Sequence, residues 1–202
     1  MAGPQGLVAE AQVVSEAGHS SWLLPAVAAL LRGLGLEAAS LDLFAVTTGP
    51  GSFTGLRVGL GSVQGLALAS GKRCLGVPTL DVLAHRAKGS AGTIVALIDA
   101  FRGEVFSGVY DAEARLVGER QVGPLAAVLD GLPRGTAFVG DAAAPNRGAI
   151  QAAIAEAVFP ESSGCLAAPL ALLAPGRSAD AGPPSELRPL YLRAAAIRPS
   201  RA

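Results

Sequence analysis

The chain has 202 residues, half of them hydrophobic, and its 16 basic residues balance its 16 acidic ones. That is ample apolar material for a core and excludes a disordered composition. Scattered Lys and Arg in a neutral chain leave no electrostatic footprint for nucleic acid, and two cysteines with two histidines are too few for a disulfide framework or a short-spaced metal motif.

The N-terminus MAGPQGLVAEAQ has no basic region of the secretory kind. The uncharged runs of the chain fall short of the ~18 to 20 residues that a membrane span needs, so a cytoplasmic protein with no membrane contact is expected. Residues 6–14 mix Val with polar residues and read as an edge strand. Ser20 and Ser21 are candidate caps for a helix to about Leu34, whose leucines and Val27 recur at helical spacing before Gly33 and Gly35. The run LDLFAVTT, 41–48, reads as a buried strand. A glycine loop and a helix ending at Gly71 follow, then a brief strand at 73–77 and a helix opened by Pro78 and reaching about Lys88.

KGSAG, 88–92, is the most linker-like segment, so one lobe is placed at 1–90 and a second at 91–202. Beyond it, strands are expected at 93–100 and 103–110, with a third reaching about Arg120. A helix at 124–130, a strand at 136–141 and a helix at 146–157 come next. The stretch from Ala174 to Pro184 reads as a surface loop, and LRPLYLR, 187–193, as extended chain. Strands alternating with helices make an α/β fold.

The stretch TTGPGSFTGLRVGLGSVQGLALASG, 47–71, carries the most specific signal. A loop of Gly49, Pro50, Gly51, Ser52, Phe53 and Thr54 between a strand and a helix start offers N–H groups to a phosphate. Yet it lacks the lysine of a P-loop, it is not G-x-G-x-x-G with a later acidic ribose ligand, and Pro50 removes a donor. Each helical glycine costs ~1 kcal/mol against alanine, so Gly55, Gly59, Gly61 and Gly65 together cost on the order of 4 kcal/mol. Close helix contact would offset that. The pairs Gly55/Gly59 and Gly61/Gly65 each make a flat patch that either the chain's own sheet or a partner helix can approach.

Catalytic groups are sparse. His19 and His85 have no second histidine four residues on, there is no G-x-S-x-G elbow, and Ser52 has no base beside it in sequence. Asp99 and Glu104 flank a predicted turn, where a solvated hairpin end is the plainer reading than an acid pair. From the residues, no catalytic residue and no metal ligand is assigned.

TGPGSFTGLRVGLGSVQGLAL followed by LGVPTLDVLA resembles the signature of the TsaB family, and HSSWLLP (19–25), LIDAFRGEV (97–105) and PLYLR (189–193) extend the resemblance over most of the chain. It implies an actin-like (ribonuclease H-like) two-lobed fold and a non-catalytic subunit in threonylcarbamoyl transfer to adenosine 37 of tRNA. The implied partners are the catalytic, metal-binding paralogue TsaD and the ATPase TsaE, with a second copy of the chain as another way of pairing and tRNA met only through the complex. ATP is then used by the complex, and this subunit holds no cofactor. The partner surface implied is the first two helices, here Trp22, Leu23, Val27 and Leu30 with Gly55, Val58, Gly59, Gly61, Ser62, Gly65 and Leu66. The family begins with a strand and an Asp-Thr turn, whereas this chain starts in what resembles the end of that hairpin, so the N-terminal lobe is expected to lack its first strands and their phosphate loop. A metal- or ATP-dependent transferase or peptidase of the same fold is the competing reading.

Overall fold

Residues 1–3, 5–12, 21–161 and 164–193 are described by a computed structural model of the chain. At its start β1 (Ala2–Gly3) and β2 (Gly6–Leu7) form a small antiparallel hairpin. The strand expected over 6–14 is therefore confined to β2, and Val13 and Val14 lie outside the described residues. Helix α1 (Leu23–Gly33) begins after Trp22, which makes no side-chain cap bond; Ser20 lies outside the described residues. Next come β3 (Leu43–Gly49), α2 (Phe53–Ser70) and β4 (Arg73–Pro78). Strands β3 and β4 pair in parallel, Phe44 beside Cys74 and Ala45 beside Leu75.

This two-stranded sheet is covered on both faces, which is why its strands are apolar at successive positions rather than alternating. Phe44 and Cys74 face Leu60 and Ala67 of α2. Leu43, Ala45, Leu75 and Val77 face the opposite way, toward Leu170 and Leu173.

Helix α3 (Thr79–Arg86) follows directly from β4. The second lobe then builds β5 (Thr93–Asp99), β6 (Glu104–Asp111), β7 (Leu116–Pro124), α4 (Leu125–Leu129), β8 (Ala137–Val139) and α5 (Arg147–Ala153). Its sheet has the order β7-β6-β5-β8, antiparallel except for the parallel β5–β8 pair. One face carries Ile94, Ala96, Tyr110 and Val139 against Leu80, Leu83 and Ala84 of α3. The other carries Val95, Leu97 and Phe138 against Leu129, Ile150 and Ile154.

Several elements depart from expectation. The third strand runs on to Pro124, and the helix expected over 146–157 stops at Ala153. The backbone reverses there, with Glu156 at φ +60°, and Val158 hydrogen-bonds Phe138 and Thr136 along the β8 edge. Helix α6 (Ala167–Leu173) was not anticipated in the proline-containing run CLAAPLALLAP, although it forms one wall of the first lobe. The segment read as a surface loop does lie at the surface, with Pro175, Gly176, Ser178, Ala179, Asp180 and Pro183 exposed, but it is 3₁₀-helical over Ala174–Asp180 and Pro184–Glu186 and buries Ala174 and Ala181. Gly182 exchanges two backbone hydrogen bonds with Cys74, so this segment borders β4.

Helix α3 also carries a buried charge. The Asp81 side chain is 4% exposed, and its Oδ1 accepts from Tyr110 Oη at 2.8 Å and from Arg120 Nε and Nη2 at 2.9 and 2.7 Å. Its Oδ2 accepts from Arg120 Nη2 at 2.8 Å and Arg177 Nη1 at 3.1 Å. A carboxylate is tolerated at this depth because both oxygens are saturated by cationic or hydroxyl donors. Burial, with the carboxylate adjoining it, pushes the Tyr110 phenol well above its usual range.

Two stability predictions follow from this packing. Asp81→Ala strips two guanidiniums and a phenol of their shared acceptor and should lower stability by about 3 kcal/mol, read as a fall in denaturant midpoint with unchanged slope. At Gly140, φ is +109° and an added Cβ would stand 1.9 Å from the Leu97 carbonyl oxygen. Gly140→Ala should therefore cost on the order of 3 kcal/mol or more, measured by thermal unfolding; a midpoint near that of the parent chain would show that β8 can shift.

Candidate functional site

The glycine loop is buried at its first two residues and exposed beyond them. Strand β3 ends at Gly49, whose φ of +116° places its Cα where a side chain would come 2.8 Å from the Leu190 carbonyl oxygen and 3.1 Å from Leu56 Cδ1. Ser52 caps α2: its Oγ accepts from the Gly55 N–H at 3.3 Å and its carbonyl from the Leu56 N–H at 2.8 Å. One donor at the helix start, the Gly55 N–H, is thus taken by the helix's own cap. Behind the loop, a cavity of about 190 Å³ is lined by Val46, Thr47, Ser52, Gly55, Leu56 and Gly59. Gly51, Ser52, Phe53 and Thr54 are exposed, while Gly49 and Pro50 are buried.

The glycines of α2 point in two directions. A Cβ on Gly59 would meet Val46 Cγ2 of β3 at 3.6 Å, so that glycine faces the chain's own sheet. A Cβ on Gly61 or Gly65 would meet nothing within 4 Å among the described residues. Leu68, one turn on, is 75% exposed. Spaced by four and three residues, Gly61, Gly65 and Leu68 form one stripe along the solvent side of the helix. Between Arg57 and Lys72 the sequence carries no charge, so nothing in that stretch makes an ordinary solvated helix face.

Helix α1 lies against α2. Its sequence LLPAVAALLRG is strongly apolar, yet among its described residues only Leu31 is buried. Trp22, Leu23, Val27 and Leu30 are half-buried, and Leu24 is 46% exposed. On α2, Gly55, Val58 and Ser62 are half-buried, and Leu66 packs toward Phe44 and Leu60 in the first lobe. The sequence-derived partner set therefore divides into an open stripe, Gly61 and Gly65, and residues turned wholly or partly inward.

Several acidic groups are engaged within the chain. Asp99 Oδ1 accepts the Phe101 N–H at 2.8 Å, and Asp141 Oδ1 accepts the Asp99 N–H at 3.0 Å. Glu104 pairs with Arg193. No group of three His, Cys, Asp or Glu side chains suited to a metal occurs among the described residues. His85, on α3, is held below the usual imidazole range by burial, with Lys88 and Arg177 adding to the effect. Both cysteines are free; burial raises the thiol of each, and Cys165 Sγ donates to Glu10 Oε1 at 3.1 Å. His19 lies outside the described residues. The Asp81 cluster gave no sequence signal, because its four members are scattered over positions 81, 110, 120 and 177 on separate elements.

Because space around Gly61 and Gly65 is open, alanine at either position fits. Gly61→Ala and Gly65→Ala should each raise stability by ~1 kcal/mol through helix propensity alone, read from equilibrium urea unfolding. A decrease would show that the stripe is covered in the folded chain.

Comparison with known proteins agrees with this architecture. Residues 11–165 match the model of the TsaD family, described as tRNA N6-adenosine threonylcarbamoyltransferase. The Escherichia coli tRNA threonylcarbamoyladenosine biosynthesis protein TsaB is 39% identical over 97 residues, 47% of this chain and 42% of that protein; the matched stretch thus spans under half the length of that curated relative. An uncharacterized protein of Mycobacterium tuberculosis strain H37Rv is 32% identical over 193 residues, 96% of this chain and 83% of its own length. Among solved structures, a Pseudomonas aeruginosa protein described as similar to the peptidase YeaZ superposes with a TM-score of 0.75 at 31% identity, covering 88% of this chain and 85% of that one. YeaZ from the same organism superposes with a TM-score of 0.71 at 32% identity, covering 90% and 87%. With these likenesses in sequence and in an actin-like, two-lobed α/β fold, the chain belongs to the TsaB family.

Proposed function

We propose that this chain is a non-catalytic scaffold subunit in the biosynthesis of threonylcarbamoyladenosine in tRNA, and that it positions a TsaD-type paralogue through the outer faces of α1 and α2. One observation carries the reading: among the described residues nothing stands over Gly61 or Gly65, and Leu68 beside them is 75% exposed, on a helix whose exposed glycines reduce its stability. A helix that retains such positions is adapted to close approach by another backbone, since two missing side chains let the axes draw together. Half-exposed apolar residues on the neighbouring α1 widen the surface and supply the apolar area that association needs.

The absence of a catalytic constellation among the described residues fits a subunit that leaves chemistry to its partner. In this reading the paralogue holds the metal and transfers the threonylcarbamoyl group, a TsaE-type ATPase joins the pair, and tRNA is engaged by the assembly.

Gly61→Leu places a four-carbon side chain on the stripe without touching the core. It should lower affinity for a TsaD paralogue at least roughly tenfold, about 1.4 kcal/mol, in calorimetric titration, with an unchanged circular dichroism spectrum. An unaltered affinity would remove α2 from the interface. Sedimentation of the chain alone and with the paralogue separates this pairing from self-association through the same face: a homodimer that the paralogue does not displace would favour the second copy.

A further inference from the structure

Residues 187–193 cross from one lobe to the other. Leu187 is buried with Phe44 and Leu60 in the first lobe, and Gln64 Nε2 of α2 donates to the Pro184 and Leu187 carbonyls at 2.9 and 3.2 Å. The Leu190 N–H donates to the Thr48 carbonyl at 2.8 Å, and the Leu190 carbonyl occupies the space left by the missing side chain of Gly49. The Tyr191 ring lies 6.0 Å from that of Phe53, the first residue of α2. From there the contacts change lobes. Leu192 packs against the α3-facing core of the second sheet. Arg193 Nη1 donates to the Ala100 carbonyl at 3.2 Å, Nη2 meets the Glu104 carboxylate, and the guanidinium stands 5.9 Å from the centre of the Phe106 ring.

The two anchor points are the C-terminal end of β3 and the C-terminal end of β5. In open α/β sheets that is where ligands bind. Here the chain's own segment lies across both ends. The anchor on the second lobe is also a strained turn: Phe101, Arg102 and Gly103 adopt φ of +60°, +58° and +78° in succession, two of them with side chains. Backbone in this region persists only where its surroundings hold it. The Asp99 carboxylate holds it from within through the Phe101 N–H, and Arg193 holds it from outside at Ala100 and Glu104.

We propose that residues 187–193 are a built-in lock that fills the strand-end cleft between the lobes and couples the β5–β6 turn to the start of α2. The glycine loop is then held in place by the C-terminal segment as well as by its own cap. This goes beyond the partner-binding reading and does not depend on it, since every contact is within one chain.

Hydrogen exchange on the full chain tests the coupling. Arg193→Ala and Glu104→Ala break the same ion pair from opposite ends, and Arg193→Lys keeps the charge while losing the fork that reaches both Ala100 and Glu104. Exchange of amides in residues 48–56 should rise roughly tenfold in both alanine variants and less in the lysine variant. The amides of Val95–Leu97 in central β5 should keep their protection. Unchanged exchange at 48–56 in both alanine variants would overturn the proposal by confining Arg193 to a local brace of the hairpin. Loss of protection at Val95–Leu97 in both would equally overturn it, because the segment would then belong to the global core instead of forming a separable lock.

Discussion

Helix α3 is the wall that two sheets share, and a buried carboxylate fixes where it stands. Its residues Thr79–Ala84 are all buried: Leu80, Leu83 and Ala84 pack on the second sheet, while Val82 turns toward Leu75 and Val77 of the first. A purely apolar helix between two apolar surfaces would be free to slide and rotate, because hydrophobic contact is non-directional. Asp81 removes that freedom. Its oxygens are bonded by Tyr110 from β6, Arg120 from β7 and Arg177 from the segment beyond α6, so one side chain sets the distance and rotation of three elements around the helix. A buried ion pair of this kind is weak evidence for high stability and better evidence for a specified arrangement.

That constraint carries outward to the surface. With α3 placed, β4 runs straight into it through Pro78, and β3 pairs alongside in a register that puts Val46 under Gly59. Helix α2 can then settle closely on the sheet at Gly59. The same seating leaves Gly61, Gly65 and Leu68 pointing away from the chain. One glycine-rich helix thus has two uses: glycine at 59 lets the helix approach its own strand, and glycines at 61 and 65 leave a low ridge outside. The chemistry that composition lacks is consistent with this division, for the acidic residues near the strand ends, Asp99, Glu104 and Asp141, are bound to backbone or to Arg193.

Alternation of strand and helix was readable from residues 41 to 111 because those segments are short, apolar and punctuated by Gly or Pro. LDLFAVTT, the helix ending at Gly71 and the strand pair on either side of Phe101-Arg102-Gly103 lie where hydrophobic runs and breakers place them. Reading failed where local signals understate or oppose the tertiary outcome. Pro169 stands in the first turn of α6, where a missing N–H costs no helical bond, and Pro175 stands past its end, so both prolines are compatible with a helix that packs Leu170 and Leu173 against the first sheet. Ala174–Asp180 has the composition of a surface loop, yet Arg177 is drawn to a carboxylate ninety-six positions away in sequence.

By itself the sequence determined the α/β class, the glycine loop and the family, since each of these rests on residues that are neighbours in the chain. Only the tertiary structure decided which glycines of α2 face a sheet and which face outward, because a helix of fixed period presents every side until packing chooses one. It alone brought Asp81, Tyr110, Arg120 and Arg177 to one point and laid residues 187–193 across both lobes. Contacts between distant positions leave no local pattern to read: they exist only once the strands are paired and the shared helix is held between them.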